Sequence, residues 1–232
     1  MRGMGQRGGE VDRATDITTD NARHVSGGGG GLGATLLSAV AVAFSAYSLW
    51  DTSLKNADLH VYVPRVISYA APYTNTNFEM IAIPVTISNE GARTGTVLQM
   101  DLAVTDPRTN ATKHFYAAEF GVWSMERTRT RSYTGFAPIP LEGRSSRTES
   151  VLFYTRGDDE KPEQIIRAVG PYTFTLTLTQ AESRDLLGAK GAPKPVSVTF
   201  ERVLPFYDAR AFDTGTIHMP SKDWQSTQSA SD

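Results

Sequence analysis

The chain has 232 residues, 23 Lys and Arg against 25 Asp and Glu, four His and no Cys. That length holds one ordinary domain with extensions, or two small ones. The missing thiols exclude disulfides, thiol nucleophiles and Cys-ligated metal sites, and a net charge of -2 lacks the basic excess of a dedicated nucleic-acid binder.

Residues 1–31 show no apolar periodicity. Arg2, Arg7, Arg13 and Arg23 are balanced by Glu10, Asp12, Asp16 and Asp20, and glycines 27–31 close the stretch. Too little apolar surface is present to offset ordering entropy, which predicts a disordered tail; a docking tail for a cytoplasmic partner is the functional alternative.

Residues 32–50, LGATLLSAVAVAFSAYSLW, contain no charged side chain. Nineteen residues in a helix span roughly 29 Å, close to the apolar thickness of a bilayer. The stretch predicts one transmembrane helix, with Tyr47 and Trp50 at the membrane interface, where amphipathic rings settle. A cleavable signal is the rival reading, since Ala41-Val42-Ala43 fits a cleavage site, but the long, charge-balanced region ahead of it does not fit a signal peptide. Gly31, Thr35, Ala39 and Ala43 form a small-residue ridge through which the span could form a homo-oligomer. Arg13 and Arg23 before the span match Lys55 and Arg65 after it, so the positive-inside rule ties. A lone N-terminal anchor followed by a large domain predicts a plasma-membrane protein with its N-terminus cytoplasmic and its C-terminal domain periplasmic.

Residues 51–57 read as a linker and 58–206 as an all-β domain. Leu59, Val61 and Val63 alternate with polar neighbours. So do Ile81, Ile83, Val85 and Ile87, with Pro84 demanding an edge or a bulge because it cannot donate to a ladder. Asn89-Glu90-Gly91 supplies turn chemistry. Leu98, Met100, Leu102 and Val104 are expected to share one face. Residues 113–120 and 148–154 follow as strands. Tyr172, Phe174, Leu176 and Leu178, and then Val196, Val198 and Phe200, alternate with polar residues. About seven strands in this length predict an antiparallel immunoglobulin-like β-sandwich. Short helices are expected at 161–167 (KPEQIIR) and 181–187. Residues 207–232 read as a partly disordered C-terminal extension, in which Tyr207, Phe212 and Trp224, with Phe206 before them, pack back on the domain or mark a contact segment.

Chemical motifs are sparse. No G-x-S-x-G elbow, phosphate loop or dinucleotide fingerprint occurs. His24, His60, His114 and His218 lack H-x-x-x-H or H-x-H spacing, so no metal site is expected, and His60 and His114 read as half-buried or solvent-facing strand residues. Gly157-Asp158-Asp159-Glu160 lacks the calcium-loop pattern and reads as a solvated acidic turn. No catalytic residue and no cofactor are expected. The pattern Arg127, Arg129, Arg131 places three guanidinium groups on one face if extended, with Trp123, Tyr133 and Phe136 beside them and Arg144 and Arg147 near them across a hairpin. Such Arg–aromatic mixtures suit partner contact; protection of an edge strand is the plainer alternative.

Tail, span and β domain, with EMIAIPVTISNEGARTGTVLQMDLAVTD as the clearest strand–turn–strand stretch, resemble bacterial membrane-anchored extracytoplasmic immunoglobulin-like proteins over residues 32 to 206. Copper-delivery factors of cytochrome oxidase assembly share the layout but use a cysteine pair, and this chain has none. The leading expectation, from a tethered domain without catalytic motifs, is a noncatalytic interaction or assembly module of the envelope. Its partner would be another envelope or inner-membrane protein, with membrane lipid touched through the anchor and no nucleic acid. The alternative is an envelope hydrolase acting on carbohydrate or peptide, with Asp158, Asp159 or Glu160 as the acid–base group.

Overall fold

Apolar side chains without a polar face leave a helix no watery side to present. The run forms one helix, α1 (Gly31–Leu49), which loosens into a π-helical turn over Trp50–Leu54. The computed structural model describes residues 31–72, 78–122, 133–157, 160–184, 190–191, 195–206 and 216–223. The helical stretch Gly33–Leu54, 22 residues long, contains an 18-residue window of mean hydropathy 1.4 and is long and apolar enough to cross a membrane. The tail 1–30 lies outside the described residues, as do Tyr207, Phe212 and Trp224.

Residues 45–232 form a compact unit made of antiparallel strands. They are β1 (Leu59–Tyr62), β2 (Val66–Ala70), β3 (Met80–Asn89), β4 (Gly95–Asp106), β5 (Ala111–Phe120), β6 (Thr134–Gly135), β7 (Ile139–Leu141), β8 (Ser146–Thr155), β9 (Gly170–Gln180), β10 (Ser183–Arg184), β11 (Lys190–Gly191), β12 (Val196–Leu204) and β13 (Ile217–Pro220). The main sheet runs β12-β9-β4-β5-β8-β3-β2-β13, with β1 added to β3, β6 to β5 and β7 to β4, while β10 and β11 pair separately. Its two ends approach each other, β12 against β13 and β1, so the sheet curls into a near-barrel.

Period-two patterning decides which side faces in. On β9, Tyr172, Phe174, Leu176 and Leu178 are fully buried while Thr173, Thr175 and Thr177 between them are half-buried on the outer face. Ile83 and Val85 of β3, Met100, Leu102 and Val104 of β4, Phe115 of β5 and Phe153 of β8 complete the centre. Each such side chain contributes about 1.5–3 kcal/mol relative to exposure. One strand serves both halves of the sheet. The start of β5 pairs with β4 (Asp106↔Ala111 to Asp101↔Tyr116) and its end with β8 (Phe115↔Thr155 to Phe120↔Val151); the two pairings overlap at Phe115 and Tyr116, and the β8 ladder shifts register between Ala117 and Glu119.

Three local outcomes differ from the sequence expectation. Leu98 faces outward and is 45% exposed, because a register shift between Val97 and Gln99 breaks the alternation and Val97 takes the inward position. Residues 161–167 form bends rather than a helix. Pro162 has no N–H to give, and the backbone N–H groups of Ile165 and Ile166 are captured by the Glu79 carboxylate instead of carbonyls one turn back. Ser183–Arg184, inside the second expected helix, is a strand. The C-terminal stretch also holds β13, with Ile217 and Met219 buried, where no alternation had been evident.

Pro84 finds its place inside a paired strand. The Ser150 carbonyl accepts the Gly121 N–H at 2.9 Å and so faces β5. The Pro84–Ser150 pair is therefore a non-hydrogen-bonded one, and the proline nitrogen points away from β8. On that side the β2 pairing ends at Ala82 and the β1 pairing begins at Thr86, leaving a gap that needs no donor.

Candidate functional site

Residues 51–57, read as a linker, are bonded to two turns. Lys55 O accepts the N–H groups of Ala92 (3.0 Å) and Arg93 (3.1 Å), and Glu90 N donates to Asp58 O at 2.8 Å. Arg144 Nη2 donates to Asp51 O at 3.0 Å and also forms an ion pair with its carboxylate. Arg144 holds φ at 56°, a conformation that costs an L-residue about 1–2 kcal/mol. Its N–H reaches Gly91 O at 2.9 Å while its side chain reaches Asp51. Two glycines make these approaches possible: a Cβ on Gly91 would lie 2.0 Å from Asn56 O, and one on Gly143 would lie 2.0 Å from Ala92 O.

Asn89 ties these segments together. Its buried amide oxygen accepts Asp58 N (3.1 Å) and Gly91 N (3.0 Å), and its amide nitrogen donates to Arg93 O (2.8 Å) and Glu142 O (3.0 Å). The Asn-Glu-Gly turn signal is legible in the sequence; the reach of Asn89 to two distant segments is not.

On the outside of this junction, the strand β1 and the turn after β3 bring Asp58, His60 and Glu90 together. His60 Nε2 lies 3.5 Å from Asp58 Oδ1 and 3.7 Å from Glu90 Oε2, with side chains 45%, 52% and 57% exposed in the order His60, Asp58, Glu90. All three ligand-type atoms fall within 4.8 Å of one another. A search for paired histidines misses this group, because two of its members are carboxylates and one arrives across the β1–β3 ladder. Beside it, a cleft of about 370 Å³ is lined by Asp58, Thr94, Thr96, Gln180 and Glu182.

At the other end of the sheet lies a buried charged network. Lys113 and Glu79 both have side chains at 0% exposure, with Nζ 2.6 Å from Oε2. Lys113 also donates to Glu163 O at 2.6 Å, and Glu79 accepts from Tyr69 OH at 2.7 Å and from the N–H groups of Ile165 and Ile166. Burial pushes the Glu79 carboxyl above its usual range, against the pull of Lys113. Burial, then the Glu79 charge, pushes the Tyr69 phenol well above its own. Nearby, Arg108 grips Asp106 through Nε (2.8 Å) and Nη2 (3.0 Å) and reaches Tyr172 OH (2.7 Å). Those hydrogen bonds hold the Asp106 carboxyl below the usual carboxylate range. Tyr172 OH accepts from Ala168 N (3.0 Å) and donates to Ala168 O (2.8 Å), pinning the loop ahead of β9. Both networks clamp residues 163–169 onto the sheet, and their satisfied geometry is that of structural locks.

The residues singled out from sequence divide. Tyr47 and Trp50 stand exposed at the end of the apolar helix, ring centroids 6.3 Å apart. Tyr133 packs over Gly121 and beside Met80, Ala82 and Leu152, and its hydroxyl donates to Val122 O at 3.2 Å. Trp123, Arg127, Arg129 and Arg131 lie outside the described residues, as do Asp158 and Asp159. Arg144 and Arg147 are engaged with Asp51 and Glu149. Glu160 Oε1 accepts from His114 N at 2.7 Å and lies 2.9 Å from His114 Nδ1, so it braces an exposed histidine.

No protein-family model matches the chain, and no curated protein matches it. Among solved structures, it is similar to an ApaA protein from Bordetella pertussis at 12% identity, with a TM-score of 0.31 over 73% of this chain and 98% of that one.

Proposed function

We propose that the chain is a single-pass membrane protein whose β domain is a noncatalytic contact or assembly module of the cell envelope. In this reading the N-terminus is cytoplasmic and the β domain periplasmic. Lipid is touched through the anchor, and the partner is another envelope or inner-membrane protein. The observation that carries the reading is the uncharged helix Gly31–Leu49, long and apolar enough with its continuation to cross a membrane and followed by an exit segment bonded to the β domain. Tethering raises the effective concentration of such a domain toward neighbours in the same membrane.

The immunoglobulin-like sandwich belongs to the same proposal. The order β12-β9-β4 on one side and β8-β3-β2 on the other, with β5 passing between them, supports it. So does Tyr172, whose hydroxyl bonds back to Ala168 four residues upstream at the start of a central strand, the geometry of a tyrosine corner. In such a module Trp123, Arg127, Arg129, Arg131 and Tyr133 form the contact patch.

The test is crosslinking of the full chain in intact membranes, with identification of neighbours, for the native sequence and for a variant carrying Arg127→Glu, Arg129→Glu and Arg131→Glu. Specific neighbours lost in the variant support the module and its patch. Extraction of the intact chain by carbonate refutes the anchor, and neighbours unchanged by charge reversal refute the patch.

A further inference from the structure

We propose that Asp58, His60 and Glu90 form a binding site for a divalent cation of the zinc class, lying across the β1–β3 ladder where the chain enters the β domain. The donor set is one imidazole nitrogen and two carboxylate oxygens, a mixture that suits borderline first-row ions. The two distances from the imidazole nitrogen suit a shared ion, and all three donor atoms lie within 4.8 Å of one another. A tetrahedral shell with bonds of about 2.0–2.1 Å has edges of roughly 3.3–3.4 Å, and the imidazole nitrogen stands 3.5 and 3.7 Å from its two oxygen neighbours. Those separations exceed a good hydrogen bond, so the imidazole is bracketed by the carboxylates without being tied to either.

The backbone under the three side chains is already fixed. Glu90 N donates to Asp58 O, Asn89 Oδ1 accepts Asp58 N, and His60 is held in the ladder opposite Ser88. Ser88 supplies an independent sign. Its Oγ is shut off from solvent with no hydrogen-bond partner, and as the cross-strand neighbour of His60 it is on the same face of the sheet. A hydroxyl shut off from solvent without a partner is unusual, and this one belongs to the residue paired with His60 across the ladder. Lys55 Nζ donates to the Glu90 carbonyl at 3.2 Å. Three protein ligands leave an open position for water, and the exposure of the group sets a modest affinity. A bound ion would cross-tie β1 to the turn after β3.

The experiment is titration of the chelator-stripped full chain, in detergent micelles, with zinc chloride by calorimetry, accompanied by thermal unfolding with and without the metal. The variants are His60→Ala, the near-isosteric Asp58→Asn and Glu90→Gln, and His114→Ala as a control on another strand. The expected result is one equivalent bound by the native chain and by His114→Ala, weakened at least tenfold in the three ligand variants. The zinc-dependent rise in melting temperature is expected to disappear in His60→Ala. Failure of the folded native chain to bind one equivalent overturns the site. So does undiminished binding by His60→Ala or, should that variant misfold, by Glu90→Gln.

Discussion

Replacing Lys113 by Met tests the buried pair at its most exacting point. Methionine fills most of the lysine volume, so packing changes little, but Glu79 loses the cation 2.6 Å away and Glu163 O loses its donor. The hydrogen bonds from Tyr69, Ile165 and Ile166 remain around a carboxylate with no counter-charge. Removing one partner of a buried pair costs about 3–5 kcal/mol. At about 2–4 °C per kcal/mol for a domain of this size, the melting temperature should fall by roughly 6–20 °C. The pH dependence carries a second signature. Because burial raises the folded-state carboxyl of Glu79, its contribution to stability is fully present below the unfolded pKa and is lost as pH rises through the folded one. Without Lys113 that loss becomes steeper, so the gap between native and variant is smallest in acid and widens toward neutrality. Thermal unfolding followed by circular dichroism from pH 4 to 8 reads both effects. Adding Glu79→Gln should recover part of the loss at neutral pH. A drop under about 1 kcal/mol, or a gap that does not change with pH, would refute the account of the pair as a buried, mutually dependent charge lock.

The remaining predictions use the same unfolding measurement. Tyr172→Phe removes a hydroxyl bonded to Arg108 and to both backbone groups of Ala168, and should cost about 1–3 kcal/mol. Asp106→Asn should be less stable than the native chain near neutrality. Since the carboxyl is held low in the fold, its stabilisation is present above the unfolded carboxylate range and lost as pH falls through the folded value, so the two proteins should converge in acid. Gly91→Ala forces a methyl to within 2.0 Å of Asn56 O and should release residues 51–58, visible as faster limited proteolysis there than in the native chain.

Where side-chain alternation met a buried face, as in β9 and most of β3, one sequence carried the strand. Leu98 escaped because the register shift at Val97 obeys backbone geometry that no hydrophobic pattern encodes. KPEQIIR has helical spacing, yet its N–H groups answer to Glu79, more than eighty residues away. The four residues of β13 are too short to show a period; their burial comes from β2. The grouping of Asp58, His60 and Glu90 was hidden for a related reason: its third member is thirty residues from the second, and only the antiparallel register between Leu59 and Asn89 closes that distance. Lys113 shares the buried face of β5 with Phe115, and the partner that lets it do so, Glu79, is likewise remote in sequence.

The strand β5 spends its first half in one neighbourhood and its second in another. At Phe115 and Tyr116, where the two pairings overlap, a break opens the strand to both neighbours at once. A local wound near Phe115 would therefore be felt on both flanks of the strand together.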